Sequence, residues 1–184
     1  MNDWYSFYLS RMNDKYRAHV AKRYAPFIKY VTLHAYDKPV IAEMGCGAAN
    51  VSRILSQSID AEQILVDKCP RMLKLADINM TGSSKYTLVQ ADLTRSLSFL
   101  QDRDVGLMYA HGVLEHFSDF QIRKILAGQK KITDTIIHYV PSNKYEKPSF
   151  GDERLMSPEQ WYDICQPDSI IEFNDGYDLI LSWK

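Results

Sequence analysis

The fold predicted for this chain is decided by residues 40–50, which read VIAEMGCGAAN. Residues 40–44 form a short apolar run that stops at Gly45, and such a run is typical of a strand buried in a parallel sheet. Gly45 and Gly47 allow the backbone to turn tightly without a Cβ in the way. Residues 50–58 then carry apolar side chains on one side of a helix. The stretch therefore predicts a strand, a glycine loop and a helix in succession.

The same alternation of strands and helices continues from this stretch to the end of the chain. Further strands are predicted at 63–67, 86–90, 105–110, 135–140, 169–173 and 177–183, and helices at 70–79, 96–101, 119–128 and from Ser157 onward. Strands that alternate with helices through short connections favour a parallel sheet covered on both faces. The Asn-Asp-Gly sequence at 174–176 predicts a hairpin between the last two strands.

The N-terminal residues 4–36 have a different pattern, rich in aromatic and basic side chains. Their apolar spacing predicts one or two amphipathic helices, broken near Asn13 and again before Pro26. The sequence contains no repeat, linker or low-complexity tract. We therefore expect residues 1–184 to form one α/β domain, with a helical cap at 1–38 and a doubly wound core at 39–184.

The composition narrows the classes of protein to which the chain can belong. With 184 residues, 46% hydrophobic and 24% charged, it has the length and balance of one globular core. A formal net charge of -1 gives no broad basic surface, so a nucleic-acid partner is not expected. No apolar run approaches the ~20 residues of a membrane span, and the N-terminus does not have the pattern of a secretory signal. Three cysteines without a Cys-x-x-Cys pair favour a reduced, cytoplasmic protein without a zinc site.

Acidic side chains stand where three of the predicted strands end, at the edge where open α/β sheets bind ligands. An acid at the end of the second strand, about twenty residues past the glycine loop, can accept hydrogen bonds from ribose hydroxyls. The candidate binding residues at these strand ends are Glu43, Gly45, Cys46, Gly47, Asp67, Lys68, Asp92 and Leu93. For each of two residues an alternative to binding remains open. Asp67 could be a solvated loop residue, and Asp92 could only cap a helix or turn.

The glycine loop departs from the pattern that binds dinucleotides. That pattern requires Gly-x-Gly-x-x-Gly or Ala, with the pyrophosphate on the helix N-terminus. Here Asn50 occupies the sixth position, and Glu43 would place negative charge beside a pyrophosphate. A cationic ligand fits this loop better than a nicotinamide dinucleotide does.

The acid-x-Gly-x-Gly pattern at 43–47 resembles the first motif of class I, Rossmann-like S-adenosylmethionine-dependent methyltransferases, with Ala49 in place of the third glycine. The resemblance continues through DKCPRML at 67–73 and YAHGVLEHF at 109–117, and covers roughly residues 40–161. It implies a sheet of about seven strands, mostly parallel with the last strand antiparallel. It also implies methyl transfer by in-line displacement, in which the protein mainly aligns the reactants and excludes water.

The resemblance implies a role for each candidate residue. Glu43 and the glycine loop would hold the methionine portion of S-adenosylmethionine, Asp67 would bind the ribose, and Asp92 the adenine amino group with Leu93 beside the ring. His111 would lie near the methyl donor and the acceptor, where it could orient the substrate or act as a base. Glu115 and His116 are expected either to pack locally or to join the site.

Two further segments carry open alternatives. The segment 145–156 holds the sequence Gly-Asp-Glu-Arg at 151–154, before Trp161. It either forms a flap over the acceptor or provides Arg154 for an internal ion pair. The N-terminal aromatic residues either cover the pocket or belong to the core; they are Trp4, Tyr5, Phe7, Tyr8 and Tyr16.

The acceptor is expected to be a small molecule. The sequence lacks the Asn/Asp-Pro-Pro-aromatic motif of DNA amino-methylating enzymes and the Pro-Cys nucleophile of cytosine-5 enzymes. Two other functions stay open at this point. One is a non-catalytic protein that binds S-adenosylmethionine or S-adenosylhomocysteine, and the other is a nicotinamide-linked oxidoreductase.

Overall fold

The central sheet carries the site and follows the predicted order of elements. The computed structural model describes residues 4–83 and 85–184, and the strands in these residues are β1 Val40–Met44, β2 Glu62–Asp67, β3 Tyr86–Gln90, β4 Val105–His111, β5 Ile136–Pro141, β6 Ser169–Phe173 and β7 Asp178–Trp183. They form one sheet in the order β3-β2-β1-β4-β5-β7-β6. Strand β7 is antiparallel to both of its neighbours, and the other pairs are parallel. The predicted Rossmann-like sheet with an antiparallel last strand is confirmed.

Helices cover both faces of the sheet. The α-helices in the described residues are α1 Trp4–Leu9, α2 Asp14–Arg23, α3 Ala25–Ala35, α4 Asn50–Leu55, α5 Pro70–Met80, α6 Asp119–Gln129 and α7 Pro158–Cys165. Short 3-10 turns lie at Ser98–Leu100 and Leu114–His116. The first of these replaces the longer helix predicted at 96–101.

The N-terminal cap, formed by α1, α2 and α3, has three helices where the apolar spacing predicts one or two. Asn13 begins α2, because its side-chain oxygen accepts a hydrogen bond from the Tyr16 N–H at 2.9 Å. Pro26 lies in the first turn of α3, where its missing N–H costs no helical hydrogen bond. The breaks therefore lie where the sequence places them, and each of them separates two helices.

Apolar side chains from alternate strand positions fill a core on each face of the sheet. On one face, Ala42 and Met44 pack with residues of α6 and α7, including the buried Trp161. On the other, Ile41 packs with α3, whose Phe27 and Val31 are fully buried. Burial on both faces explains why the strands are continuous apolar runs rather than alternating ones.

The strand order places a crevice at the carboxyl ends of β1 and β4. From β1 the chain moves outward to β2 and β3, and it then returns to the other side of β1 to form β4. Ligands bind at such a reversal of strand order in open α/β sheets. Within residues 4–83 and 85–184, no helix is both long enough and apolar enough to cross a membrane.

Candidate active site

A cavity of about 720 Å³ lies at the carboxyl ends of β1, β2, β3 and β4. Its lining includes all nine residues that the sequence predicts for the site: Glu43, Gly45, Cys46, Gly47, Asp67, Lys68, Asp92, Leu93 and His111. The fold therefore brings together residues from four separate strand ends, as the resemblance implies. Their contact with a cofactor stays a prediction.

The glycine loop after β1 has the backbone conformation that its sequence requires. Gly45 has a φ of 73°, and a Cβ added there would lie 2.8 Å from Cγ2 of Val113. The N–H groups of Gly45 and Cys46 both donate to the Val66 carbonyl, at 2.7 and 2.9 Å. Ala49, in place of the third glycine, adopts the left-handed conformation with φ 54° and ψ 39°. The loop thus keeps a glycine-like path through Ala49, at a strain of roughly 1–2 kcal/mol.

Asp67 joins the glycine loop to the start of α5. Its Oδ2 accepts from the Gly47 N–H at 2.9 Å, and its Oδ1 accepts from the Cys69 N–H at 2.8 Å. Burial raises the pKa of Asp67, although these two N–H donors oppose that shift. A carboxylate has about four acceptor positions, so both oxygens can still accept from a ligand. This mostly buried, bonded carboxylate is not a solvated loop residue.

Glu43 is a buried acid at the base of the cavity, with 3% of its surface exposed. It accepts a hydrogen bond from the Ser52 hydroxyl, which in turn lies 2.6 Å from the Tyr109 hydroxyl. Burial raises the pKa of Glu43 to about 8. A cation bound beside it would favour the ionised form and lower that pKa.

Asp92 has the local role that the alternative interpretation predicts, and it also lines the cavity. Its Oδ1 accepts from the N–H and the hydroxyl of Thr94, at 2.9 and 2.7 Å. These bonds hold the turn after β3 and keep the pKa of Asp92 below its usual range. Its other oxygen, Oδ2, lies 4.0 Å from Nε of Arg95.

His111 ends β4 with its ring enclosed by aromatic side chains. The ring stacks on Tyr139 at a centroid distance of 4.6 Å, and Tyr24 meets it edge-on at 4.2 Å. Burial lowers the pKa of His111 to about 4, so the ring is neutral at neutral pH. Its buried Nε2 has no hydrogen-bond partner in the part of the chain that the structure describes.

The N-terminal cap and the segment 142–156 cover the mouth of the cavity. Trp4, Tyr5, Tyr8 and Tyr16 line it, and the same four side chains also pack against buried apolar residues, so both interpretations apply to them. The Trp4 ring meets Phe150 at a centroid distance of 4.5 Å, and Phe7 meets the same ring at 4.7 Å. We call Trp4, Phe7 and Phe150 the roof of the cavity. The spacing of aromatic residues along a helix does not by itself distinguish such a roof from a face packed in the core.

The segment 142–156 contains the internal ion pair of Arg154 and also contributes to the cavity wall, whereas a flap over the acceptor stays a prediction. Arg154 forms the internal ion pair, at 2.6 Å from Asp119, and donates to the Phe117 carbonyl at 2.7 Å. Asp152 lines the cavity and lies 2.9 Å from Nδ1 of His116, which also lines it. Glu115 is buried behind this loop and does not line the cavity; burial raises its pKa to about 8.

The geometry can now be compared with known proteins. The model of the methyltransferase-domain family matches residues 41–134, which is half of the chain. The chain belongs to this family. It is an S-adenosylmethionine-dependent methyltransferase. The expected enzyme class and cofactor are thus confirmed, and the family match does not support the oxidoreductase alternative. No curated protein matches the sequence.

Solved structures of methyltransferases share the fold at low sequence identity. A SAM-dependent methyltransferase from Aquifex aeolicus has a TM-score of 0.69 and 14% identity, covering 84% of this chain and 87% of that one. The complex of DhpI with SAH has a TM-score of 0.70 and 16% identity, covering 98% and 94%. The small RNA methyltransferase HEN1 has a TM-score of 0.68 and 16% identity, covering 87% of this chain but 25% of that one.

Proposed function

We propose that this methyltransferase transfers a methyl group from S-adenosylmethionine to a small-molecule acceptor, by direct in-line displacement within the roofed cavity. The observation that carries the proposal is the convergence of Glu43, the glycine loop, Asp67 and Asp92 on one cavity. When bound, S-adenosylmethionine supplies a methyl group already activated by a positively charged sulfur. The chain's own residues then have to align the reactants and exclude water.

The residues of the cavity fit this cofactor by charge and by donor set. Carboxyl groups in the lining come from four residues, Glu43, Asp67, Asp92 and Asp152, against two permanent cations, Lys68 and Arg71. An acidic pocket suits a ligand with a sulfonium and an amino group. In this proposal Glu43 and the glycine loop hold the methionine portion, Asp67 the ribose, and Asp92 with Leu93 the adenine.

His111 serves in this proposal to orient the acceptor rather than as a strong base. With a pKa of about 4, its neutral ring has little tendency to keep a proton taken from an acceptor. Its ring is fixed between Tyr139 and Tyr24, which gives Nε2 a defined direction. Alignment of the reactants alone can contribute a large share of the rate.

A small acceptor follows from the size of the cavity. About 720 Å³ has to hold both the cofactor and the acceptor. A pocket of ~300–1,000 Å³ typically encloses one drug-sized ligand, so two ligands sharing it must each be small. Trp4, which lines the cavity, packs against Phe150, and Phe7 packs against the same Phe150 ring.

Calorimetry with four ligands tests the proposal. S-adenosylmethionine and S-adenosylhomocysteine should bind, and NAD and NADP should not, because Asn50 and Glu43 do not suit a pyrophosphate. Tighter binding of NAD than of either adenosyl ligand would end the proposal.

A matched pair of glycine variants locates the binding. In Gly47→Ala, the added Cβ would lie 3.6 Å from Cε of Met72 inside the cavity, at a φ of 54°. Gly82→Ala carries a similar backbone strain, at φ 84°, with no described atom within 4 Å. S-adenosylhomocysteine affinity should fall in Gly47→Ala and stay constant in Gly82→Ala. Equal losses in both variants would show that strain, not the cavity, is responsible.

A further inference from the structure

Part of the cavity wall comes from residues outside the segment that matches the family model. That segment is 41–134, whereas Trp4, Tyr8, Tyr16 and Val20 belong to the N-terminal cap. The shared part of the fold supplies the strand ends that are proposed to hold the cofactor. The cap therefore supplies surface from outside the segment that the family model matches, and we assign acceptor recognition to it.

Two phenol groups of the cap are available inside the cavity. Tyr8 and Tyr16 line it, and within residues 4–83 and 85–184 neither hydroxyl makes a hydrogen bond. Burial raises the pKa of Tyr8 above its usual range, and the nearby phenols of Tyr16 and Tyr24 and carboxyls of Glu43 and Asp67 add to the shift. These hydroxyls therefore stay protonated and can both donate and accept.

His111 presents the third available polar group. His111 lines the cavity, and its buried Nε2 has no partner among the described residues. A buried polar atom left unpaired is costly, and each one in a native structure requires an explanation. Because the ring is neutral, this nitrogen makes a hydrogen bond to a ligand without adding charge.

Two cations line the cavity, Lys68 and Arg71, against the carboxyl groups of four residues, Glu43, Asp67, Asp92 and Asp152. Arg23 lies 3.1 Å from the buried Asp178, and Arg71 lies over the Tyr5 ring at 3.8 Å. Arg11 donates to the Phe7 carbonyl at 2.8 Å and does not line the cavity. An anionic acceptor would have to lose its water in a cavity whose carboxyl groups outnumber its cations, which is unfavourable.

We propose that Tyr8, Tyr16 and His111 form the acceptor subsite, and that the acceptor is an uncharged molecule bearing an O–H or N–H group. The polar group is held between the phenol hydroxyls and Nε2 of His111, while the aromatic walls enclose its apolar part. Carboxylates and phosphates bind less well in this subsite, because carboxyl groups outnumber cations in the lining. This inference rests on the proposed function, because the acceptor binds beside the cofactor.

The test measures ligand binding to protein saturated with S-adenosylhomocysteine, so it needs no catalysis. Four probes share one ring and differ in charge: phenol, aniline, benzoate and phenyl phosphate. Phenol and aniline should bind and shift the ring ¹⁵N resonances of His111 in NMR spectra. Benzoate and phenyl phosphate should leave these resonances unchanged.

A pair of tyrosine variants assigns the binding to the cap. Tyr16→Phe removes one hydroxyl and should weaken phenol binding about three- to tenfold, the usual loss for one neutral hydrogen bond. Tyr162→Phe, at an exposed position of α7, should bind phenol as the unchanged protein does. Both variants should keep the affinity for S-adenosylhomocysteine.

The outcomes separate this inference from the proposed function. Failure of S-adenosylhomocysteine to bind contradicts the proposed function itself. If S-adenosylhomocysteine binds but benzoate or phenyl phosphate binds as well as phenol, the subsite is not of this kind. Equal behaviour of all four probes, or of the two tyrosine variants, overturns the inference in the same way.

Discussion

At the scale of single residues, Asp67 combines a structural and a proposed binding role in one carboxylate. It accepts two backbone N–H bonds that shape the glycine loop, and its free acceptor positions face the cavity. Asp67→Ala should weaken S-adenosylhomocysteine binding by ~1–3 kcal/mol, because hydrogen bonds to a charged group are lost. Calorimetry measures the change. Asp60→Ala is the control, since Asp60 is exposed and paired with Lys85; equal affinity in a folded Asp67→Ala protein would leave Asp67 with the loop role alone.

The lowered pKa of His111 has a consequence that can be measured without knowing the acceptor. Histidine in the unfolded chain titrates near 6.5, whereas burial moves His111 to about 4 and His138 to about 3. The rings of both should therefore stay neutral as the pH falls from 7 to 5. Titration of the imidazole resonances by NMR tests this, with His111→Ala identifying the signal. A His111 midpoint near 6.5 would contradict the buried, desolvated ring.

Kinetics will distinguish two uses of His111 once an acceptor is known. If the ring takes the acceptor's proton, His111→Ala should lose ~10²–10⁴-fold in turnover with nearly constant cofactor affinity. The rate of the unchanged enzyme should then fall only as the pH approaches 4, not near 6.5. If the ring only positions the acceptor, KM should rise and the pH profile should keep its shape.

At the scale of elements, the sequence predicts the strands better than it predicts the helices. Buried parallel strands are short apolar runs that stop at Gly45 or at Asp67, so their ends are visible in the sequence. The cap gave no such signal, and its three helices were predicted as one or two. The spacing of its aromatic residues fits both a pocket cover and a core face, because helical spacing does not show what packs against a helix. The sequence therefore leaves the place of Tyr8 and Tyr16 open, and the structure shows that both line the cavity.

The end of α7 offers a test of local backbone energetics. Gln166 follows this helix in the left-handed conformation, with φ 45° and ψ 62°, and it is exposed. Gln166→Gly should raise the free energy of unfolding by ~0.5–1 kcal/mol. Glycine has no Cβ, so it avoids the steric penalty of the left-handed conformation, and this gain is larger than the extra chain entropy that glycine loses on folding. Urea unfolding measures the difference. Gln166→Ala keeps the penalty and should be unchanged; a gain of equal size in that variant would point to another cause.

At the scale of the whole molecule, buried titratable groups determine how stability depends on pH. Glu43 and Glu115 have pKa values near 8 in the folded chain and near 4.5 when unfolded. Between pH 6.5 and 8 the folded state thus holds protons that the unfolded state has released. Stability should fall as the pH rises through this range, by up to ~1.4 kcal/mol per pH unit for each unmatched proton.

The buried histidines act in the opposite direction at lower pH. Below 6.5 the unfolded chain protonates them, while the folded chain keeps them neutral down to about 4 and 3. Below about pH 4.5 the glutamates no longer differ between the two states, so stability falls with further acidification. Cofactor-free protein should therefore be more stable at pH 5.5 than at pH 8 or pH 3.5, as measured by urea unfolding.

A single carboxamide substitution isolates one contribution. Glu115→Gln keeps the shape of this buried side chain and removes its titration, so the decline between pH 6.5 and 8 should become shallower. Glu146→Gln, at an exposed position of the segment 142–156, should leave the slope unchanged. A slope that is the same in all three proteins would show that Glu115 is not protonated in the folded state.

The roof over the cavity belongs to separate stretches of chain from the strand ends beneath it. Substitutions in α1 and α2 change the surface offered to a ligand, whereas the hydrogen bonds of Asp67 are made to backbone N–H groups of the loops below. During evolution, single substitutions in the cap can therefore change which acceptor is bound, while the strand-end residues below stay the same. In the laboratory, a mutagenic library that aims to change acceptor specificity can therefore be limited to the first 24 residues of the chain.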